Sequence, residues 1–302
     1  MCFPLYSPFY ALRTLLFLLS WLLVGSLVST VNGYANNAPI PCIGDVDRAQ
    51  DLYVQPGEGI EHARERIAIE AMMGRVEAQR ILALFYFCGT GGEQNEEKGM
   101  ELLVDAAEKG SAWAQMDLGI HLQTLAQDSS EFELARFWYE KSANNPESSE
   151  YLRSAACLAA GSLYEHMPQE NGLHLDKALA WYEKSDSPEG LFYSAMLYVR
   201  NQELPKSGEN ARAFLEEAAE KGVRQAFAQR ATLALASQAG EGAYIDAFMW
   251  LNLALEVAWS GEKAPLEQEL KNIREHMTRN AIVKGEKAAT EWKTAHPQAF
   301  TQ

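Results

Sequence analysis

Small and bulky apolar residues recur along this chain at helical spacing. From Leu175 to Ser185 (LDKALAWYEKS), Leu175, Ala178, Leu179 and Tyr182 fall on one helical stripe, and Lys and Glu hold the other side. With Ala178 as anchor, bulky residues stand three and four positions later, here Trp181 and Tyr182, as Trp138 and Tyr139 do after Ala135, and this Trp and Tyr stripe is at core spacing. The same pattern starts at Gly99, Ala135, Ala211 and Ala247, usually with small residues at seven and eight, and a degenerate copy starts at Ala63 with Ile67 and Ala71. The steps between anchors are 36, 36, 43, 33 and 36 residues. A period in this range is the signature of stacked helical hairpins, so the expected fold is all-α, an α/α superhelical solenoid.

Each anchor helix after the first is preceded by a partner helix with its own pattern. A small residue leads to a small or apolar pair four and five positions on, as in Ala78 with Leu82 and Ala83, or Ala114 with Leu118 and Gly119. Small residues at these positions let two helix axes approach closely. Gly74, Gly110 and Gly222 each lie eleven residues past an anchor, where a left-handed residue ends a helix. The spacing from first to second helix is nearly constant, so irregularity is confined to the linkers, chiefly 144–150 and 186–189. Glu58 to Met73 reads as an N-terminal cap, with Arg66 and Glu70 at positions that are apolar in later copies. Pro265 to Met277 and Asn280 to His296 read as closing helices, with Trp292 and Ile282 over the last open face.

The first 35 residues differ in kind. Arg13 is their only charge, Thr14 to Val28 is almost wholly apolar, and Gly33 and Ala35 are small residues placed for cleavage. Residues 1–35 therefore read as a secretory signal peptide cut after Ala35, residues 36–57 as a linker, and 58–297 as the solenoid with its capping helices. The alternative is an uncleaved signal anchor in the inner membrane, because the apolar run extends to roughly 18 residues. With cleavage, no membrane span is expected to remain. The chain of 302 residues carries 26 Lys and Arg against 41 Asp and Glu, a formal charge of −15. That balance opposes nucleic-acid phosphates as partners. Cys42, Cys88 and Cys157 would remain after cleavage, and none forms the paired set that a disulfide-stapled repeat would carry.

The Ala, Trp-Tyr, Lys-Ala-Ala, Gly pattern in KALAWYEKS and ARAFLEEAAEKG resembles the Sel1-like repeat family, a branch of the tetratricopeptide-related solenoids. DAFMWLNLALE followed by EHMTRNAIVKGEKAATEWKTAHP is similar to the closing segment of bacterial members. The resemblance covers about Ile60 to Pro297 and implies an adaptor without a substrate of its own. The third unit departs from the pattern, with Asp186 in place of a small residue and no terminal Gly.

Candidate chemistry is sparse. The His residues at 62, 121, 166, 174, 276 and 296 show no metal-ligand spacing, so neither metal nor cofactor is expected. Ser260 and Lys263 form S-x-x-K, but the companion Ser-Asn and Lys-Thr-Gly elements are missing, and the motif sits at an expected helix break before Pro265. Gly89, Gly91 and Gly92 lack the strand and the Lys-Ser/Thr of a phosphate cradle and read as a hairpin turn. The chain is accordingly expected to be an exported protein–protein interaction scaffold, periplasmic or secreted, and not an enzyme. An envelope hydrolase of the penicillin-recognising type and a secreted host-protein-binding factor are the alternatives.

The side of a first helix opposite its anchors should face water, yet in three units it carries apolar residues, while Leu158, Ser162 and Glu165 of the third unit are more polar. Arg80, Leu84 and Phe87 stand there in one unit, Met116, Ile120 and Gln123 in the next, and Phe192, Met196 and Val199 in a later one. Two readings compete: neighbouring helices cover this side, or part of it lines a concave groove that holds a protein or peptide. On the second reading Leu84, Phe87, Met116, Ile120, Phe192 and Met196 are the candidate partner-binding residues. Sequence leaves the partner and the oligomeric state open.

Overall fold

The computed structural model describes residues 54–55, 57–166, 173–237 and 240–301. The expected leader at 1–35, almost all of the expected linker at 36–57, Cys42 and residues 167–172 lie outside the described residues. Among the described residues the structure is α-helical, with one closing 3₁₀ turn and no strand. The chain forms two compact units that meet at Leu152 and Arg153.

The first unit holds α1 (Ile60–Met72), α2 (Val76–Cys88), α3 (Glu96–Glu108), α4 (Ala112–Leu125) and α5 (Ser129–Ala143). The boundary with the second unit falls near the start of α6 (Glu150–His166). The second unit continues with α7 (Leu173–Lys184), α8 (Pro188–Arg200), α9 (Ser207–Glu220), α10 (Arg224–Ser237) and α11 (Glu241–Val257). It ends with α12 (Ser260–Arg274), α13 (Arg279–Ala295) and the 3₁₀ turn Pro297–Phe300.

Local chemistry sets the helix ends. Asn95, Ser111, Asp128, Ser187 and Thr278 cap the starts of α3, α4, α5, α8 and α13, each accepting a backbone N–H from the first turn. Gly74, Gly110 and Gly222 adopt φ of +82°, +94° and +87° after α1, α3 and α9. The third hairpin lacks this Gly, and Asp186 takes the left-handed conformation instead, at φ +47°. Asp tolerates that region through its short polar side chain. The turn comes earlier, which accounts for the shortened linker before α8.

Packing within a hairpin rests on a size match between one notch and one knob. Five residues past its anchor, the first helix carries Ala83, Gly119, Gly161, Ala195 or Ala231. Four residues past its anchor, the second helix carries Leu103, Tyr139, Tyr182, Leu215 or Leu251. Gly stands with Tyr, and Ala stands with Leu, in every hairpin. All ten residues are buried. A Cβ built on Gly119 would lie 2.6 Å from the Tyr139 ring, and one on Gly161 would lie 2.6 Å from the Tyr182 ring. The Tyr hydroxyls reach past the notch: Tyr139 donates to Gln123 Oε1 at 2.6 Å, and Tyr182 to Glu165 Oε2 at 2.9 Å.

Two sequence expectations are corrected here. Trp138 and Trp181, one position before the knobs, are only half-buried, because the fourth position after the anchor points into the hairpin and the third lies on its margin. The Lys184 ammonium lies 4.3 Å from the Trp181 ring centroid. The closing helix α12 also starts at Ser260 and not at Pro265, and Pro265 sits inside it. Glu262 makes this start possible by accepting the Trp259 N–H at 3.0 Å and pairing with Arg224 at 3.0 Å.

The notch–knob match yields a test. Gly119→Ala removes a helix penalty of about 1 kcal/mol but drives a methyl into the Tyr139 ring, an overpacking that costs about 1–3 kcal/mol. The single variant should melt lower than wild type. Adding Tyr139→Leu, which recreates the Ala–Leu pair of the other hairpins, should recover stability beyond the sum of the two single changes. Strict additivity in chemical denaturation would rule out the size match.

Candidate functional site

The rows of apolar residues opposite the anchors behave differently in different hairpins. In α2 the row is core. Leu84 and Phe87 are each 1% exposed, and Arg80 is buried beside them. Phe87 lies between α3, where its ring fills the space beside Gly99, and α4, which also meets Arg80. The Phe87 ring stacks on His121 with centroids 4.5 Å apart, and Arg80 Nη1 reaches Asp117 Oδ2 at 2.5 Å. Leu84 and Phe87 therefore have no free surface for a partner, and their assignment to a groove is withdrawn.

The α2–α4 seam is a buried polar and aromatic contact. Arg80 also bonds Glu77 through Nε at 2.8 Å. Burial disfavours the Arg80 charge, but Asp117 and Glu77 outweigh it and hold the guanidinium above its ordinary value. His121 is 1% exposed and its Nδ1 has no hydrogen-bond partner. Burial pushes its imidazole down to about 4, so it is neutral in the fold. Metal-ligand spacing does not single out Asp117 or His121. Their signal was positional: they stand three and seven residues past the α4 anchor, facing the preceding first helix.

In α4 the row is different. Met116, Ile120 and Gln123 are half-buried, and Gln123 is engaged by Tyr139. In the second unit Phe192, Met196 and Val199 of α8 are half-buried as well. Phe192 packs at the margin of the core cluster that contains Phe227 and Trp250. Val199 opens onto a cleft of about 300 Å³ between α8, α9 and α10. Tyr198, Leu233 and Ala236 give it apolar walls, and Gln202, Gln229 and Thr232 supply polar groups. On α6, Glu165 accepts the Tyr182 hydroxyl and pairs with Arg200, so its place in the row is structural.

The remaining motifs show little that could carry chemistry. Ser260 and Lys263 are both exposed on the first turn of α12. A neighbouring cleft of about 350 Å³ is lined by Gly261, Glu262 and Pro265 but by neither of them. The glycine loop after α2 is wrapped around Arg64 of α1, which donates to the carbonyls of Thr90 at 3.2 Å and Glu93 at 2.9 Å. A Cβ on Gly91 would lie 2.6 Å from the Ile60 carbonyl oxygen, which explains the glycine there. No cluster of three or more metal-ligating side chains occurs among the described residues. His174 is half-buried near Tyr164, and the side chain of His166 lies outside the described residues.

Burial of neutral His121 makes the first unit sensitive to acid. An unfolded His titrates near 6.5 and the folded one near 4, so the unfolded chain binds the extra proton between those values. Stability should be fullest above about pH 6.5 and fall as pH drops toward about 4, by at most about 3 kcal/mol from this group. His121→Asn should flatten that part of the curve. Equal pH slopes for the two proteins between 6.5 and 4.5 would show that His121 is not the titrating group.

The Sel1 repeat model matches residues 76–111, 114–146, 154–185 and 188–223. These matches coincide with the hairpins α2–α3, α4–α5, α6–α7 and α8–α9. No curated protein matches the chain. Among solved structures, a Sel1 repeat protein from Oxalobacter formigenes is similar, with 19% identity and a TM-score of 0.50, over 74% of this chain and 90% of that one. A protective antigen present in uropathogenic Escherichia coli strains, described as displaying an SLR fold, aligns at 19% identity with a TM-score of 0.41. That alignment covers 86% of this chain, which spans 62% of that protein's length. Residues 76–223 of the chain therefore carry four Sel1 repeats, and the fold they build is that of the solved Sel1 repeat structure.

Proposed function

We propose that this Sel1 repeat protein is an exported scaffold that binds a protein or peptide partner through the accessible parts of its first-helix rows. The observation that supports this most directly is the α8–α10 cleft of about 300 Å³. It joins apolar walls to a few polar groups, and the half-buried Met196 stands one turn before its lining residue Val199 on α8. Such a surface suits an extended or helical segment that inserts one or two apolar side chains. Met196 and Val199 are the proposed contacts in the second unit, with Phe192 at its edge, and Met116 and Ile120 are the proposed contacts in the first. Export rests on the leader at residues 1–35, with the mature chain beginning at Asn36 in periplasm or medium. No helix among the described residues is long and apolar enough to cross a membrane.

A scaffold of this kind works by binding, and the exposed Ser260–Lys263 pair lacks the enclosed pocket that acylation requires. Chromogenic β-lactams should give no burst and no Ser260-dependent adduct by mass spectrometry.

Intact-mass measurement of the chain expressed in a bacterium should give a product starting at Asn36; a retained Met1 with membrane association would identify the anchor form. In capture from envelope extract, Val199→Asp and Met196→Ser should each deplete bands that wild type retains, while helical circular dichroism and melting point hold. A melting point lowered by the cost of a buried residue would mark these positions as core and end the groove reading.

A further inference from the structure

Terminal helices of solenoids need a polar outer face, because no further repeat covers them. α1 departs from this rule. Its buried side is Ala63, Ile67 and Ala71. The opposite side, at about 100° per residue, carries Glu61, Glu65, Ile69 and Met72, with Met73 just past the helix end. Ile69 is 55% exposed, Met72 87% and Met73 75%. These are three of the large apolar residues most exposed in the first unit, and they lie together. Half of the face is thus acidic and half is apolar.

The charges around this face are unevenly matched. Arg64 is held by the carbonyls of the glycine loop. Arg66 pairs with Glu58 and Glu70, and Arg75 pairs with Glu70. Glu61 and Glu65 enter no ion pair among the described residues, and both are exposed one turn apart. Residues 54–152 carry 18 acidic and 8 basic side chains, so the field over this unit is negative as well. Methionine thioethers adapt to varied apolar surfaces, a property suited to docking another helix.

We propose that the outward face of α1 docks a basic amphipathic helix of a partner protein. Its apolar seam covers Ile69, Met72 and Met73, and its Lys or Arg residues reach Glu61 and Glu65. With 13 residues, α1 offers about 20 Å of length, enough for nearly four turns of a partner helix. This surface is independent of the α8–α10 cleft, so either proposal can fail without the other.

Methionine oxidation tests it directly. In the full chain, dilute peroxide followed by mass spectrometry should oxidise Met72 and Met73 much faster than buried Met100. A synthetic 15-residue Leu/Lys amphipathic peptide, at about three times its Kd, should slow both about fourfold by occupancy. The same peptide with Glu in place of Lys should give no protection. Glu61→Lys/Glu65→Lys should abolish the protection, whereas Glu97→Lys/Glu101→Lys on α3 should leave it intact. Protection by both peptides, or equal loss in both variants, would overturn the proposal as non-specific attraction. Met72 and Met73 already protected without peptide would also overturn it. In that case, dependence on protein concentration would identify a second copy as the occupant, and independence would identify residues 36–53.

Discussion

The contact on which the repeats depend is the close approach of two helices at a single small residue. Where that residue is Gly119 or Gly161, the opposing helix supplies Tyr139 or Tyr182, each 1% exposed. Where it is alanine, the opposing residue is leucine. A small residue thus stands with the larger knob and a larger one with the smaller knob, because interiors tolerate neither voids nor overlap on the scale of one methyl group. The tyrosines add a hydrogen bond at the far end, to Gln123 or Glu165, and burial holds both phenols above their ordinary values so that they remain neutral donors. The α10–α11 hairpin keeps the same device with Ala231 and Leu251, although the repeat matches end at 223. Packing geometry thus persists where sequence similarity has faded.

Some helix–helix contacts, within and between hairpins, add a different chemistry. Arg80 on α2 meets Asp117 on α4, both buried, and His121 stacks on Phe87 one turn further on. In the second unit Arg230 of α10 is 3% exposed and lies within 2.9 Å of Glu216 on α9 and 3.0 Å of Asp246 on α11. Buried ion pairs add little net stability after desolvation, but loss of one partner strands a charge at a cost of about 3–5 kcal/mol. Such pairs penalise a slipped register more severely than an apolar contact would.

The two ends are closed by unlike means. At the C-terminal end, Trp292 of α13 packs against Trp250 at 5.2 Å and Phe227 at 5.5 Å, and Phe300 of the 3₁₀ turn joins the cluster. Gly285 receives the Phe248 ring in a notch like those of the hairpins. At the other end, Arg64 ties α1 to the glycine loop after α2, and the outward face is left partly apolar. The apolar core is therefore sealed at one terminus, and a candidate docking face lies at the other.

The sequence by itself determined the helical hairpins, their order and most of their ends. Those features follow from local rules: periodicity of 3.6 residues, capping side chains and left-handed glycines act within one or two turns. It also exposed the notch and knob positions, since each recurs at a fixed offset from an anchor. Tertiary structure alone decided which side of each first helix is accessible. The rows in α2 and α8 look alike in sequence, yet Leu84 and Phe87 are buried, Phe87 against His121 of α4, while Val199 opens onto a cleft. Coverage depends on residues more than 30 positions away, such as Asp117 for Arg80, and no local pattern encodes that distance. For the same reason Trp181 looked like core, although the neighbouring Tyr182 fills the notch.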